Sequence, residues 1–175
     1  MESEQTLEVL QYYRHDLMNH LQIVQGYLSI GKAEKAEAKL KESMDHYNEE
    51  RKLMSLNAPM FILWLIRFNT TYMNLRITYQ IHTDNIDLRR IDKQLVEQCQ
   101  DVITSLVKAT DDTELYDLTL ELNEIKKSSQ IKVSLFIDEG DRLKLNLDQM
   151  EQNKTVHVNE ITSGILCEFS IPCKV

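Results

Sequence analysis

Apolar residues recur at Leu7, Leu10, Leu17, Leu21, Val24 and Leu28, and Arg14 fills the one missing step of an alternating three-four spacing. That spacing is the a/d seam of a packed helix, and it fixes where every other side chain of the segment points. With Arg14, Leu21 and Leu28 at a and Leu10, Leu17 and Val24 at d, His15 falls at b, outside the seam. An imidazole there faces solvent. Asn19 lies one turn further along the same face, within reach of a group carried on the His15 ring, and Asp16 relates to His20 in the same way.

A lone exposed histidine is by default an ordinary surface residue, but its surroundings argue for more. From Leu17 to Ile30 the chain has no Asp, Glu, Lys or Arg. A solvated amphipathic helix normally carries charge on its outward face. Here that face is the neutral strip Met18, Asn19, Gln22, Gln25, Gly26 and Ser29, which reads as a docking surface for another protein. Glycine in mid-helix costs about 1 kcal/mol relative to alanine. At Gly26 the missing side chain admits a close partner.

The first helix is expected from about Ser3 to Ile30, stopped at Gly31. Ala33, Ala36, Leu40, Met44, Tyr47 and Met54 carry the same spacing through a second helix to about Ser55, with Arg51 in the remaining seam position. Two long helices joined at one glycine form an antiparallel hairpin. Each bears an apolar seam with too little to cover it, so the hairpin is expected to dimerise into a four-helix bundle.

Asn57-Ala58-Pro59 reads as a stop and restart, which places a domain boundary between residues 1–57 and 58–175. Beyond it the periodicity changes. Met60, Leu63, Trp64 and Phe68 predict a short buried helix; Leu75, Ile77, Tyr79 and Ile81 alternate as a strand; Ile91, Leu95, Cys99, Val102 and Leu106 predict a helix from about Leu88 to Ala109. Tyr116 to Leu122 and Ile131 to Ile137 alternate as a β-hairpin, and Val156 and Val158 with Ile165 to Ile171 as a second one turned at Ser163-Gly164. Leu143 to Met150 reads as a helix. The fold class is α+β: a helical hairpin followed by a helix-backed antiparallel or mixed sheet.

A net charge of −8 without a basic stripe argues against nucleic acid as a partner. The longest apolar run, Met60 to Ile66, is far short of the roughly 20 residues that cross a bilayer, so no membrane role and a cytoplasmic location are expected. Cys99, Cys167 and Cys173 lack CxxC spacing and read as reduced thiols with no assigned chemistry.

A helical hairpin carrying Arg14-His15-Asp16, then Asn19, Leu21 and Gln22, and followed by an α/β domain, resembles the dimerisation and phosphoacceptor module of two-component sensor histidine kinases, citrate-sensor type, with its ATP-binding domain. It is similar, more closely, to the phosphorelay histidine phosphotransferases of spore-forming bacilli. The resemblance is strong over residues 14–31 and rests on element order beyond residue 58.

It implies a homodimer in which His15 accepts a phosphoryl group from the aspartate of a phosphorylated single-domain response regulator and passes it to the receiver domain of a sporulation transcription factor. Asn19 would support the phosphoryl group. Arg14 is either a seam-breaking polar residue or a contact for an acidic partner; Asp16 either orients a partner's metal-binding face or simply pairs with His20. ATP-binding relatives need a magnesium-binding asparagine, an Asp-x-Gly-x-Gly loop and a glycine-rich lid. Residues 95–110 contain no asparagine, the best remnant of the loop is Asp138-Glu139-Gly140-Asp141, and the chain has four glycines in all. Residues 58–175 therefore read as a degenerate ATPase-like domain, with no tightly bound cofactor and with Mg²⁺ supplied by the receiver partner.

Three alternatives stand beside this reading: an ATP-dependent histidine kinase, a non-enzymatic dimeric adaptor for response regulators, and a metal site built from His15, Asp16, His20 and His46. The metal site suffers from the five-residue spacing of His15 and His20, which spreads them round the helix.

Overall fold

The computed structural model describes residues 2–83, 86–111, 113–138, 156–161 and 164–173. The chain divides into two compact units, Met1–Arg51 and Lys52–Val175. The segment expected as a helix from Leu143 to Met150, the loop residues Glu139, Gly140 and Asp141, and the turn residue Ser163 lie outside the described residues.

The first unit is built on α1 (Glu2–Ser29) and α2 (Ala33–Met54), whose last turn runs into the second unit. Gly31 ends α1 in the left-handed region at φ 70°. Lys32 N–H bonds Tyr27 O at 2.9 Å and Gly31 N–H bonds Leu28 O at 3.0 Å, the paired bonds of a Schellman stop. The helices run antiparallel: as α1 is followed backwards from His20 to Asp16 and Tyr12, their partners in α2 advance from Ser43 to Tyr47 and Glu50.

The face that α1 turns toward α2 is not the leucine seam. Tyr13, Asp16, His20, Val24 and Tyr27 are half-buried, whereas Leu7, Leu10, Leu17, Leu21 and Leu28 are exposed, Leu17 by 43% and Leu21 by 48%. On α2, Ala36, Ser43 and Glu50, seven residues apart, are buried, and Leu40 and Met44 are exposed. The hairpin closes on a polar and aromatic seam and leaves its most apolar one uncovered.

The second unit contains α3 (Pro59–Thr71), β1 (Leu75–His82), α4 (Asp92–Ala109), β2 (Tyr116–Ile125), β3 (Gln130–Asp138), β4 (His157–Ile161) and β5 (Gly164–Pro172). The sheet order is β1-β2-β3-β5-β4, with β1 and β2 parallel across the α4 crossover and the other pairs antiparallel. Strand register converts alternation in sequence into apolar rows across the sheet. Ile77 pairs with Leu118, Leu118 with Ile137 and Ile137 with Ile165; two residues on, Tyr79, Leu120, Leu135 and Cys167 form the next row. Phe61, Leu65 and Phe68 of α3 and Leu95, Cys99, Ile103 and Leu106 of α4 join these rows in one core.

Helix α4 begins at Asp92 rather than near Leu88. Leu88 N–H is bonded to Leu56 O at 2.9 Å, and Leu88 O accepts from Ile91 N–H in a turn, so the preceding residues are committed elsewhere. Asp92 is 5% exposed and points its carboxylate at the start of α3, with Oδ2 accepting from Met60 N–H and Oδ1 from Phe61 N–H, both at 2.9 Å. This cap comes from another helix because the residue before α3, Ala58, has no side chain that can cap it.

Candidate functional site

The midpoint of α1 carries two adjoining arrangements on different faces. Outward, His15 is exposed and its Nδ1 accepts a hydrogen bond from the Asn19 side-chain amide at 3.2 Å, the contact that the four-residue spacing predicts. Arg14 is exposed beside it. The neutral strip Met18, Asn19, Gln22, Gln25, Gly26 and Ser29 is exposed along its length. Ser29 Oγ turns back to donate to Gln25 O at 2.8 Å, and a Cβ on Gly26 would meet nothing within 4 Å. This face bears one imidazole and no formal charge over the three turns that follow it.

Inward, Asp16 turns toward α2. Its Oδ2 lies 3.8 Å from His20 Nε2, and His20 Nδ1 lies 2.6 Å from Ser43 Oγ on α2. Ser43 Oγ also donates to Lys39 O at 2.8 Å. The His20 ring stacks on His46 and meets Tyr47, with centroids 6.0 Å apart in each case. Burial pushes the phenols of Tyr12 and Tyr47 upward, and the carboxylates of Asp16 and Glu50 push them further in the same direction. The Asp16 charge is therefore felt inside the hairpin. Lys39 Nζ, 2.7 Å from Glu42, holds that carboxyl below its ordinary range, with His20 and His46 adding to the effect.

Asp16 and His20 belong to this inner chain, as their spacing predicts, while His15 and Asn19 stand on the outer face. Ser43 escaped the sequence reading. The Ala36-Ser43-Glu50 heptad, small or polar at every step, is the signal that would have found it.

Among the described residues no group of three or more His, Cys, Asp or Glu is placed to hold a metal ion. His82 and His157 are exposed on strands. Cys99 is buried, which pushes its thiol well up, and all three cysteines are free. No helix among the described residues is long and apolar enough to cross a membrane.

Both faces lie in the part of the chain that comparison with known proteins matches. Residues 1–56 match the family described as sensor kinase SpoOB-type, alpha-helical domain. Over 97 residues the chain is 30% identical to sporulation initiation phosphotransferase B of Bacillus subtilis strain 168, a match covering 54% of this chain and 50% of that protein, so the chain aligns with about half the length of this relative.

Among solved structures, the blue-light-activated histidine kinase of Erythrobacter litoralis EL346 is 16% identical with a TM-score of 0.45, covering 97% of this chain and 60% of that one. The histidine kinase AdeS of Acinetobacter baumannii is 11% identical with a TM-score of 0.43, covering 92% of this chain and 98% of its own. In sequence, the helical hairpin is similar to the SpoOB-type alpha-helical domain of sensor kinases, and the chain carrying it resembles sporulation initiation phosphotransferase B.

Proposed function

We propose that this chain is a phosphorelay histidine phosphotransferase that works without ATP, with His15 as phosphoacceptor. The observation that carries the reading is the exposed His15 ring held through Nδ1 by Asn19 at the head of a neutral strip. Phosphoryl transfer asks a protein chiefly for in-line positioning and for relief of charge, and this face supplies an oriented nucleophile without competing charges.

A half-turn of the Asn19 amide places Oδ1 opposite Nδ1. The ring proton then resides on Nδ1, and the Nε2 lone pair is free. In the transfer, Nε2 attacks the phosphorus of a phosphoaspartate on a receiver domain, the N–P bond forms, the acyl P–O bond breaks and the aspartate leaves as carboxylate. The same steps in reverse deliver the group to the aspartate of a second receiver, that of a sporulation transcription factor. Asn19 supports the transfer by holding the ring in this tautomer. Mg²⁺ belongs to the acidic pocket of the receiver and supplies charge neutralisation there.

The uncovered leucine seam is the reason to place a second copy against it, giving a homodimeric four-helix bundle with His15 on its outside. Residues 58–175 then serve as a degenerate ATPase-like domain.

The test is transfer of labelled phosphoryl from a Mg²⁺-loaded phosphoreceiver to the protein in the absence of ATP, beside the His15→Gln variant. Acid-labile, base-stable label on the wild type alone is the expected result. Binding of receivers without any label on the protein overturns the reading and leaves an adaptor, and label acquired from ATP makes it a kinase.

A further inference from the structure

The uncovered seam of the hairpin carries two cations that its leucines do not explain. Arg14 and Arg51 each follow an inward residue, Tyr13 and Glu50, by one position, so each stands about 100° round its helix from the inner face, turned in the same sense. In antiparallel helices that rotation brings both to one side of the hairpin, the side of the exposed Leu17, Leu21, Leu40 and Met44. The pairing that sets His20 against Ser43 and Tyr12 near Glu50 also puts the two arginines at nearly one level, on the order of 3 Å apart along the hairpin axis.

The chain has 28 acidic residues against 20 basic, yet none occupies the three- and four-residue positions that share a helix face with either arginine. Arg14 has Leu10, Gln11, Leu17 and Met18 there, and Arg51 has Tyr47, Asn48, Met54 and Ser55. Both guanidinium groups are exposed and have no ion-pair partner among the described residues. The remaining seam positions of both helices are leucine, valine, alanine, methionine and tyrosine, so a second copy laid on this seam brings no carboxylate either.

Covering a guanidinium without a counter-charge is costly. Two copies laid in opposite directions would set each arginine against the leucines nearer Gly31. Two copies laid in the same direction gather four guanidinium groups at one level, where they repel unless an anion joins them.

We propose that Arg14 and Arg51 of two copies form a binding site for a tetrahedral oxyanion, phosphate or sulfate, that is complete only when the second copy is in place. The planar fork of N–H donors on a guanidinium matches two oxygens of such an anion, and one dianion serves several forks. His15 stands a further 100° or so round α1, so this oxyanion is a ligand of the interface and not the phosphoryl group in transfer. The site rests on the homodimer of the proposed function and is independent of the transfer chemistry.

The test is sedimentation velocity on the full chain while inorganic phosphate replaces chloride at constant ionic strength and pH. For one site per dimer, linkage lowers the dimer dissociation constant about elevenfold once phosphate reaches ten times its own dissociation constant. Phosphate also strengthens apolar burial in general, so the reference is the double variant Arg14→Met with Arg51→Met, expected to gain less than about twofold from the exchange. In chloride that variant is expected to dimerise more tightly than wild type, because the repulsion is gone. The phosphorus-31 line of inorganic phosphate should broaden with wild type above its dimer dissociation constant and stay narrow with the variant. A wild-type dimer that responds to phosphate no more than the variant overturns the site and leaves the dimer standing. Wild type that stays monomeric in both salts at high concentration overturns the dimer and the site together.

Discussion

Replacing Asp92 with alanine tests the most concentrated hydrogen-bonding contribution visible in the second unit. Both carboxylate oxygens are used, on Met60 N–H and Phe61 N–H at 2.9 Å, and the side chain is 5% exposed, so little water reaches the site. Pro59 has no N–H, and Ala58 provides no side-chain cap. The two amides therefore depend on Asp92 for satisfaction. Hydrogen bonds to a charged group contribute about 1.5–3 kcal/mol each, and an anion at a helix N-terminus adds about 0.3–1 kcal/mol.

Allowing for partial rescue by water entering the space left by alanine, the loss comes to roughly 3–5 kcal/mol, a large share of the 5–15 kcal/mol typical of a domain. For a unit of this size that lowers Tm by about 15 °C. The single tryptophan, Trp64, lies on α3 one turn beyond the capped amides, and its fluorescence in urea and on heating follows their release directly. Asp92→Asn keeps one acceptor and is expected to cost about half as much. A loss below about 1 kcal/mol for Asp92→Ala, or equal losses for the two variants, refutes the capping argument.

Gly164 is expected not to tolerate alanine. A Cβ there would sit against the backbone oxygen of Ile137, the neighbour of its strand partner Asp138, so Gly164→Ala must distort the β3–β5 pairing. Chemical denaturation should register a loss of roughly 3 kcal/mol or more. Leu17→Lys combined with Leu21→Lys removes about 1 kcal/mol of burial at each half-exposed leucine in each copy of the proposed dimer. Sedimentation velocity should show the dissociation constant raised by about a thousandfold, and a wild-type monomer at high concentration excludes the dimer.

Burial raises the Glu168 carboxyl, but hydrogen bonds from Lys132 and Ser134 outweigh it and leave the group below its ordinary value. A carboxyl lowered on folding stabilises above its unfolded pKa and loses that contribution as pH falls through the folded value. The stability difference between wild type and Lys132→Met is expected to be under about 1 kcal/mol at neutral pH, since the pair is partly exposed. In pH-dependent urea melts it should fade below about pH 4.

The sequence carried the elements of both units because each has an apolar period of its own. Strict alternation from Leu75 to Ile81 and from Ile131 to Ile137 can satisfy only a strand with one buried face, and those residues lie on the core side of the sheet. Gly31 marked the end of α1 because its left-handed conformation is inexpensive only for glycine. The contact of Asn19 with His15 was legible for a similar reason, since four residues make one turn.

Two features were not legible. Parallel pairing of β1 with β2 depends on the route taken by α4, which leaves no local mark on either strand. The inner seam of the hairpin is formed by Tyr13, Asp16, His20 and Ser43, and a search for apolar period passes over such residues and settles on the leucines. Its only traces were a serine in a heptad of small or polar residues and a histidine four residues from an aspartate.

That division of faces has an energetic consequence for the hairpin. Its helices meet through groups such as His20 and Ser43, polar residues whose hydrogen bond contributes little net free energy but penalises any other register, because a shifted helix would leave them unpaired. The side chains whose burial supplies most of a helical unit's stability, the leucines of α1 with Leu40 and Met44 of α2, stay uncovered in the single chain. Register is thus set within one copy, and under the proposed dimer stability is deferred to association. Under the proposed dimer, folding of the hairpin and pairing of two copies become linked equilibria, and the melting temperature of the helical unit must rise with protein concentration while that of the sheet unit, with its own core, does not. Under the proposed function, this organisation keeps the reactive face free of both tasks: neither the seam that fixes register nor the seam proposed to bind a second copy includes His15, Asn19 or the neutral strip.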